Sequence, residues 1–224
     1  MYKAIFIDID DTLLDFNHAC QSAFDKTMDQ FNLEKNKAYY ELFLKINNIL
    51  WEQQKRGEIS VQDVVDLRFK QLFTSLQLEQ NYNYVSNTFQ ENLAMEHVLV
   101  DGALEIIDYL SGKYSVFAAS NSFFEMQKSR LERAHLLPRF SGLFISNEIG
   151  FEKPDFRFFE TCLNRSGFAK QEILFVGDSL EADMKGAGNY GLDTCWYNPH
   201  QLKTDLMLDI QYTVNHLSDL KTFL

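Results

Sequence analysis

A chain of 224 residues, 46% hydrophobic and 24% charged, can bury one sizeable core with an insertion and is too apolar to be disordered. Its formal charge of −11 excludes a nucleic-acid polymer as the main partner, because a phosphate backbone needs a basic footprint, but leaves a small phosphorylated metabolite open. Three scattered cysteines (Cys20, Cys162, Cys195) form no CxxC pair and no apolar run nears the ~20 residues of a membrane span, so a cytoplasmic protein with reduced thiols and no membrane partner is expected.

In chain order, residues 3–9 (KAIFIDI) read as a buried strand that ends in the polar turn Asp8-Ile9-Asp10-Asp11-Thr12. Residues 15–96 hold long helical patterns and no clear strand. Gly57 can end one helix there, and Ser60 with Asp63 can cap the next. Further short apolar runs follow at residues 114–119, 143–146, 173–177 and 194–197, with helical patterns near 103–110, 123–134, 156–166 and 181–190. Apolar strands alternating with amphipathic helices predict a Rossmann-like α/β core: a parallel sheet with helices on both faces. The expected organisation is a core of residues 1–14 and 97–224, with residues 15–96 inserted as an all-helical cap.

Parallel sheets collect their ligands at the carboxyl ends of the strands. Those ends carry Asp8 and Asp10, then Ser120-Asn121-Ser122, then Glu152-Lys153-Pro154-Asp155 with Pro154 expected to start a helix, then Gly177-Asp178-Ser179 with Asp183 beyond. Asp8 and Asp178, with a nearby backbone carbonyl, suit a hard cation in octahedral oxygen coordination, hence Mg²⁺. A carboxylate can attack phosphorus and split hydrolysis into two easier steps. Residues i and i+2 of a strand point the same way, so Asp8 can attack while Asp10 protonates the leaving group and later activates water. Ser120, with Asn121 beside it, and Lys153 are the candidates for holding phosphoryl oxygens. Asp11, third in the row, reads as a turn residue.

DIDDTLL, SNS, EKPD and GDSLEAD, in this order and spacing, resemble the four motifs of the haloacid dehalogenase (HAD) superfamily of phosphohydrolases, with the helical insertion in the place of its C1 cap. The resemblance implies Asp8 as nucleophile, Asp10 as general acid/base, Ser120 and Lys153 as phosphate binders, and Asp178 as a metal ligand. It adds the Asp10 backbone carbonyl to the metal and places Asp183 behind, orienting Lys153 or a metal-bound water. The acid at position 10 favours phosphate esters over halides, since halide leaves without a proton. Asp15-Phe16, the RGEIS and Arg68-Phe69 pattern, RLERAHL and CWYN are similar to the pyrimidine 5′-nucleotidase branch acting on non-standard nucleoside monophosphates. Ser122 and Tyr190 depart from the usual glycine and Asn-Ala-Gly patterns.

Phosphoglycolate, a sugar phosphate or a mutase-like transfer remain alternatives, because caps choose substrates and their pockets are not read from periodicity. A receiver-like phospho-aspartate switch is a further alternative, disfavoured by the insertion and by Asp10. Gly186, Gly188 and Gly191 spell GxGxxG inside and at the end of a helical pattern, where no dinucleotide fold would place it. No histidine pair has metal-ligand spacing. His200 is a candidate for the mouth of the site, and Phe16, Trp51 and Phe69 are candidates for stacking a base.

Overall fold

The four residues of β1 (Ala4–Ile7) are all buried, and their side chains alternate between two cores. Ile5 and Ile7 join one hydrophobic cluster, whereas Ala4 and Phe6 join another, the period of two that a strand imposes. The computed structural model describes residues 1–204 and 207–224. Parallel pairing orders the sheet β3-β2-β1-β4-β5-β6, with β2 (Ser115–Ser120), β3 (Gly142–Ile145), β4 (Ile173–Gly177), β5 (Asp193–Tyr197) and β6 (Tyr212–Val214). Ile7 lies in register with Ala118 of β2 and Val176 of β4. The order therefore reverses around β1, and the crevice of such a sheet opens there, beyond Asp8 and Asp178.

Between β1 and β2 come α1 (Phe16–Gln30), α2 (Lys37–Lys55), α3 (Val61–Leu76), α4 (Tyr82–Leu93) and α5 (Ala103–Ser111). The first four pack on one another around Phe24, Phe43, Phe69 and Phe89, a cluster separate from the two that flank the sheet. Phe43 touches all three other rings at centroid distances of 4.9–5.4 Å. Polar caps set the helix starts: Asp15 accepts from His18 N, Asn36 from Tyr39 N, and Ser60 and Asp63 exchange bonds in a capping box. Each such cap stabilises its helix by about 1 kcal/mol. Gly57, at φ +71°, follows the end of α2.

After β2 come α6 (Phe124–Arg133), then after β3 the short turn α7 (Ser146–Ile149) and α8 (Phe156–Ser166). A π-helical turn, Leu180–Lys185, leads into α9 (Gly186–Tyr190) and β5. Helices α5 and α6 cover the Ile5 face, and α8 and α9 cover the Phe6 face. This is the expected α/β class.

Two local expectations needed correction, and one strand had no counterpart in the sequence reading: β6 is a three-residue edge strand, too short to show a period. The helix expected over 181–190 opens as a wide turn, in which Asp183 N and Met184 N both donate to Ser179 O while the Asp183 carboxylate turns back to Ser179 N. Pro154 does not start α8, since Asp155 is its cap and Phe156 its first residue. Gly186 packs so tightly on Phe159 that a Cβ would lie 2.8 Å from its ring, and Gly191 ends α9 at φ +91°, so the GxGxxG run serves packing and a helix terminus.

Candidate active site

A cavity of about 360 Å³ opens between the carboxyl end of the sheet and helices α1 and α2. Asp8, Asp10, Ser120, Asn121, Lys153, Asp178 and Asp183 all line it, so the folded chain gathers every residue marked by the motifs.

Lys153 is at its centre. It is 2% exposed, and its Nζ donates to Asp8 Oδ1 (2.6 Å), Asp183 Oδ1 (2.7 Å) and Ala119 O (2.8 Å). Burial alone would push this ammonium down, but Asp183 and Asp8 together outweigh it and hold the pKa above its ordinary value. Its main chain is fixed as firmly, because Asn121 Oδ1 accepts from Lys153 N and Asn121 Nδ2 donates to Lys153 O, both at 2.7 Å. The side chain of Asn121 thus positions Lys153 through both its polar atoms.

Asp8 is raised well above the usual carboxylate range, first by burial and then by Asp183 and Asp178, with Lys153 opposing. Asp178 is pushed up to about 7, again first by burial and then by Asp183 and Asp11, while Lys55 and Lys153 oppose. One oxygen from each of Asp8, Asp178 and Asp183 falls within 4.8 Å of the others. Three crowded carboxylates against one ammonium leave excess negative charge, and hard oxygen donors suit a small divalent cation. Asp183 already accepts from Lys153 on Oδ1 and from Ser179 N on Oδ2 (3.1 Å), so within the trio it is the most committed. Gly177 permits this approach: a Cβ there would stand 2.3 Å from Asp183 Oδ2.

Asp10 faces α6. Its carboxylate accepts from Arg130 Nη1 (2.5 Å) and Gln127 Nε2 (2.6 Å), while Ser120 Oγ accepts from the same Gln127 nitrogen at 3.1 Å. The Asp10 carboxylate is outside the crowded trio. Asp11 sits at φ +58°, accepting from Phe16 N at the start of α1, and burial followed by the neighbouring Asp10 charge pushes it up to about 6.

Gln127, Arg130, Glu152 and Lys55 were not marked by sequence reasoning as site residues. Gln127 and Arg130 are fully buried polar residues three apart on α6, and that spacing on a buried helix face was the available signal. Glu152 adjoins Lys153 and accepts from Gln54 Nε2 of α2 (2.7 Å) and Val61 N of α3 (2.8 Å), tying the helical layer to the loop that carries the lysine. Phe16 and Trp51 line the cavity, whereas Phe69 is wholly buried among the cap rings. His200 lines a neighbouring groove that also reaches Asp178.

Residues 2–191 match the family described as haloacid dehalogenase-like hydrolase. The chain is 34% identical to pyrimidine 5′-nucleotidase PynA of Streptococcus pneumoniae over 98% of this chain and 93% of that one. It is 27% identical to pyrimidine 5′-nucleotidase YjjG of Escherichia coli over 98% and 96% of the two chains. Among solved structures, YfnB of Bacillus subtilis, crystallised bound to magnesium, superposes with a TM-score of 0.93 at 30% identity, covering 99% of this chain and 97% of that one.

Proposed function

The chain belongs to the haloacid dehalogenase-like hydrolases, and from that premise we propose that it is a Mg²⁺-dependent phosphatase for pyrimidine nucleoside 5′-monophosphates, working through an aspartyl-phosphate. The observation that carries the chemistry is Lys153 buried between Asp8 and Asp183 beneath a small-molecule-sized cavity. Likeness to two pyrimidine 5′-nucleotidases along almost the whole chain, helical insertion included, supports the substrate class.

In this mechanism Asp8 attacks phosphorus, and the bond to the leaving oxygen breaks as Asp10 delivers a proton to it. Asp10 then takes a proton from water, whose oxygen attacks phosphorus and releases Asp8. Arg130 and Gln127 hold Asp10 in one direction throughout, since both are fully buried and bonded to it. Lys153 keeps a positive charge beside the phosphoryl oxygens, and Ser120 Oγ borders the same space. Asp8, Asp178 and the Asp10 carbonyl would hold Mg²⁺, with Asp183 beside them. When bound, the ion would neutralise charge on the phosphoryl group. Residues 15–96 act in this reading as the cap that screens the leaving group.

The test is kcat/KM for UMP, dUMP and dTMP against AMP, phosphoglycolate and sugar phosphates. A preference of about tenfold or more for the pyrimidine nucleotides is expected, and equal or better turnover of a sugar phosphate would overturn the substrate class. Chelation of divalent cations should stop turnover and added Mg²⁺ restore it.

A further inference from the structure

Asn47 and Trp51 stand one turn apart on α2, on the stripe that lines the cavity shared with Asp8. Asn47 is 2% exposed, yet its Oδ1 has no hydrogen-bond partner among the described residues, and neither has Trp51 Nε1. Leaving a buried carboxamide oxygen unpaired carries its full desolvation cost, which an apolar residue of similar size would avoid. Gln54, further along the same helix and equally buried, shows the usual arrangement, with Nε2 donated to Glu152. The two unpaired atoms are complementary: a carboxamide oxygen accepts, and an indole N–H only donates. With no bond holding its oxygen, the Asn47 amide can turn about its terminal torsion to meet a ligand.

We propose that Asn47 and Trp51 read the heterocyclic edge of the leaving group. They select a ring that carries an N–H donor next to a C=O acceptor, as the imide edge of uracil or thymine does. Asn47 Oδ1 accepts from the ring N–H, and Trp51 Nε1 donates to the adjacent carbonyl. A sugar phosphate or phosphoglycolate offers no such edge and leaves both protein atoms unpaired, which is how a polar pocket rejects a substrate. The inference rests on the nucleotidase reading above and adds the atoms that make the choice.

The test compares kcat/KM for UMP, N3-methyl-UMP and ribose 5-phosphate in the wild-type chain and in Asn47→Leu. Wild type should favour UMP over both. In Asn47→Leu the preference for UMP over N3-methyl-UMP should fall by about 10- to 100-fold. The melting temperature should hold or rise, because an unpaired buried acceptor has been removed. Trp51→Phe, which keeps a ring and removes the N–H, should lower the ratio of UMP to ribose 5-phosphate, and an unchanged ratio there removes the donor half of the proposal. Undiminished discrimination against N3-methyl-UMP in Asn47→Leu, or a marked fall in its melting temperature, overturns the inference and leaves the nucleotidase reading standing. A wild-type preference for ribose 5-phosphate over UMP overturns both.

Discussion

The two walls of the cavity treat their polar groups differently. On the sheet side they satisfy one another: Lys153 Nζ makes three bonds, Asn121 clamps the Lys153 main chain, and Gln127 bridges Asp10 and Ser120. On the helical side two buried atoms of α2, Asn47 Oδ1 and Trp51 Nε1, lack a hydrogen-bond partner among the described residues, while Gln54 is bonded to Glu152. A wall whose groups hold each other is rigid before substrate arrives, as fixed chemistry requires. A wall with unpaired groups has bonding capacity left for whatever enters.

The largest expected effect tests the rigid wall. Asp8→Asn should lower kcat by about 10⁴-fold or more while the protein still folds, which steady-state phosphate release and a thermal melt would establish together. Substantial residual turnover would remove Asp8 as nucleophile. Lys153→Met strips the ammonium from between Asp8 and Asp183. It should cost about 3–5 kcal/mol in urea unfolding and abolish most activity, because two buried carboxylates then face each other unpaired.

Phe43→Ala probes the opposite wall. The ring is wholly buried among Phe24, Phe69 and Phe89, so its loss should cost about 3–5 kcal/mol of stability, measured by denaturant unfolding. The joint between the walls comes next. Glu152→Ala removes the acceptor used by Gln54 and Val61 N and should raise KM about tenfold with a smaller change in kcat. An unchanged KM would show that this bridge does not position the helices over the site. Arg68→Met should have the smallest effect. Arg68 is buried with Nε and Nη2 unpaired, and burial pushes its pKa down to about 10. An apolar chain of similar length should leave the free energy of unfolding unchanged or raise it by about 1 kcal/mol. A clear loss of stability would show that its cation over the Phe89 ring, 4.3 Å from the centroid, outweighs its burial cost.

Much of this architecture was legible from the chain alone. β4 and α8 fall where the periodicity put them, and β1, β2, β3 and β5 shift by only a few residues. The Ser60–Asp63 capping box was legible too, because its partners lie three residues apart. What escaped was non-local. The wide turn at 180–185 brings Asp183 to Lys153, a contact the motif resemblance implied but whose backbone shape no local period encodes. Arg130 stood out only as part of the RLERAHL resemblance and Gln127 not at all; their bonds to Asp10 exist only once α6 is laid against the end of β1. The clasp of the Asn121 amide on the Lys153 peptide likewise joins residues 32 apart in the chain.

By itself the sequence determined the parallel α/β core with a helical insertion and the residue types at each strand end. Strand and helix periods and backbone direction are local properties, and strand ends converge in any parallel sheet. The tertiary structure alone decided the partnerships: that Lys153 is shared between Asp8 and Asp183, which residues hold Asp10, and which polar atoms of the helical layer are left unpaired. Those depend on distances of a few ångströms between elements far apart in the chain, and desolvation makes each such pairing, or its absence, energetically consequential.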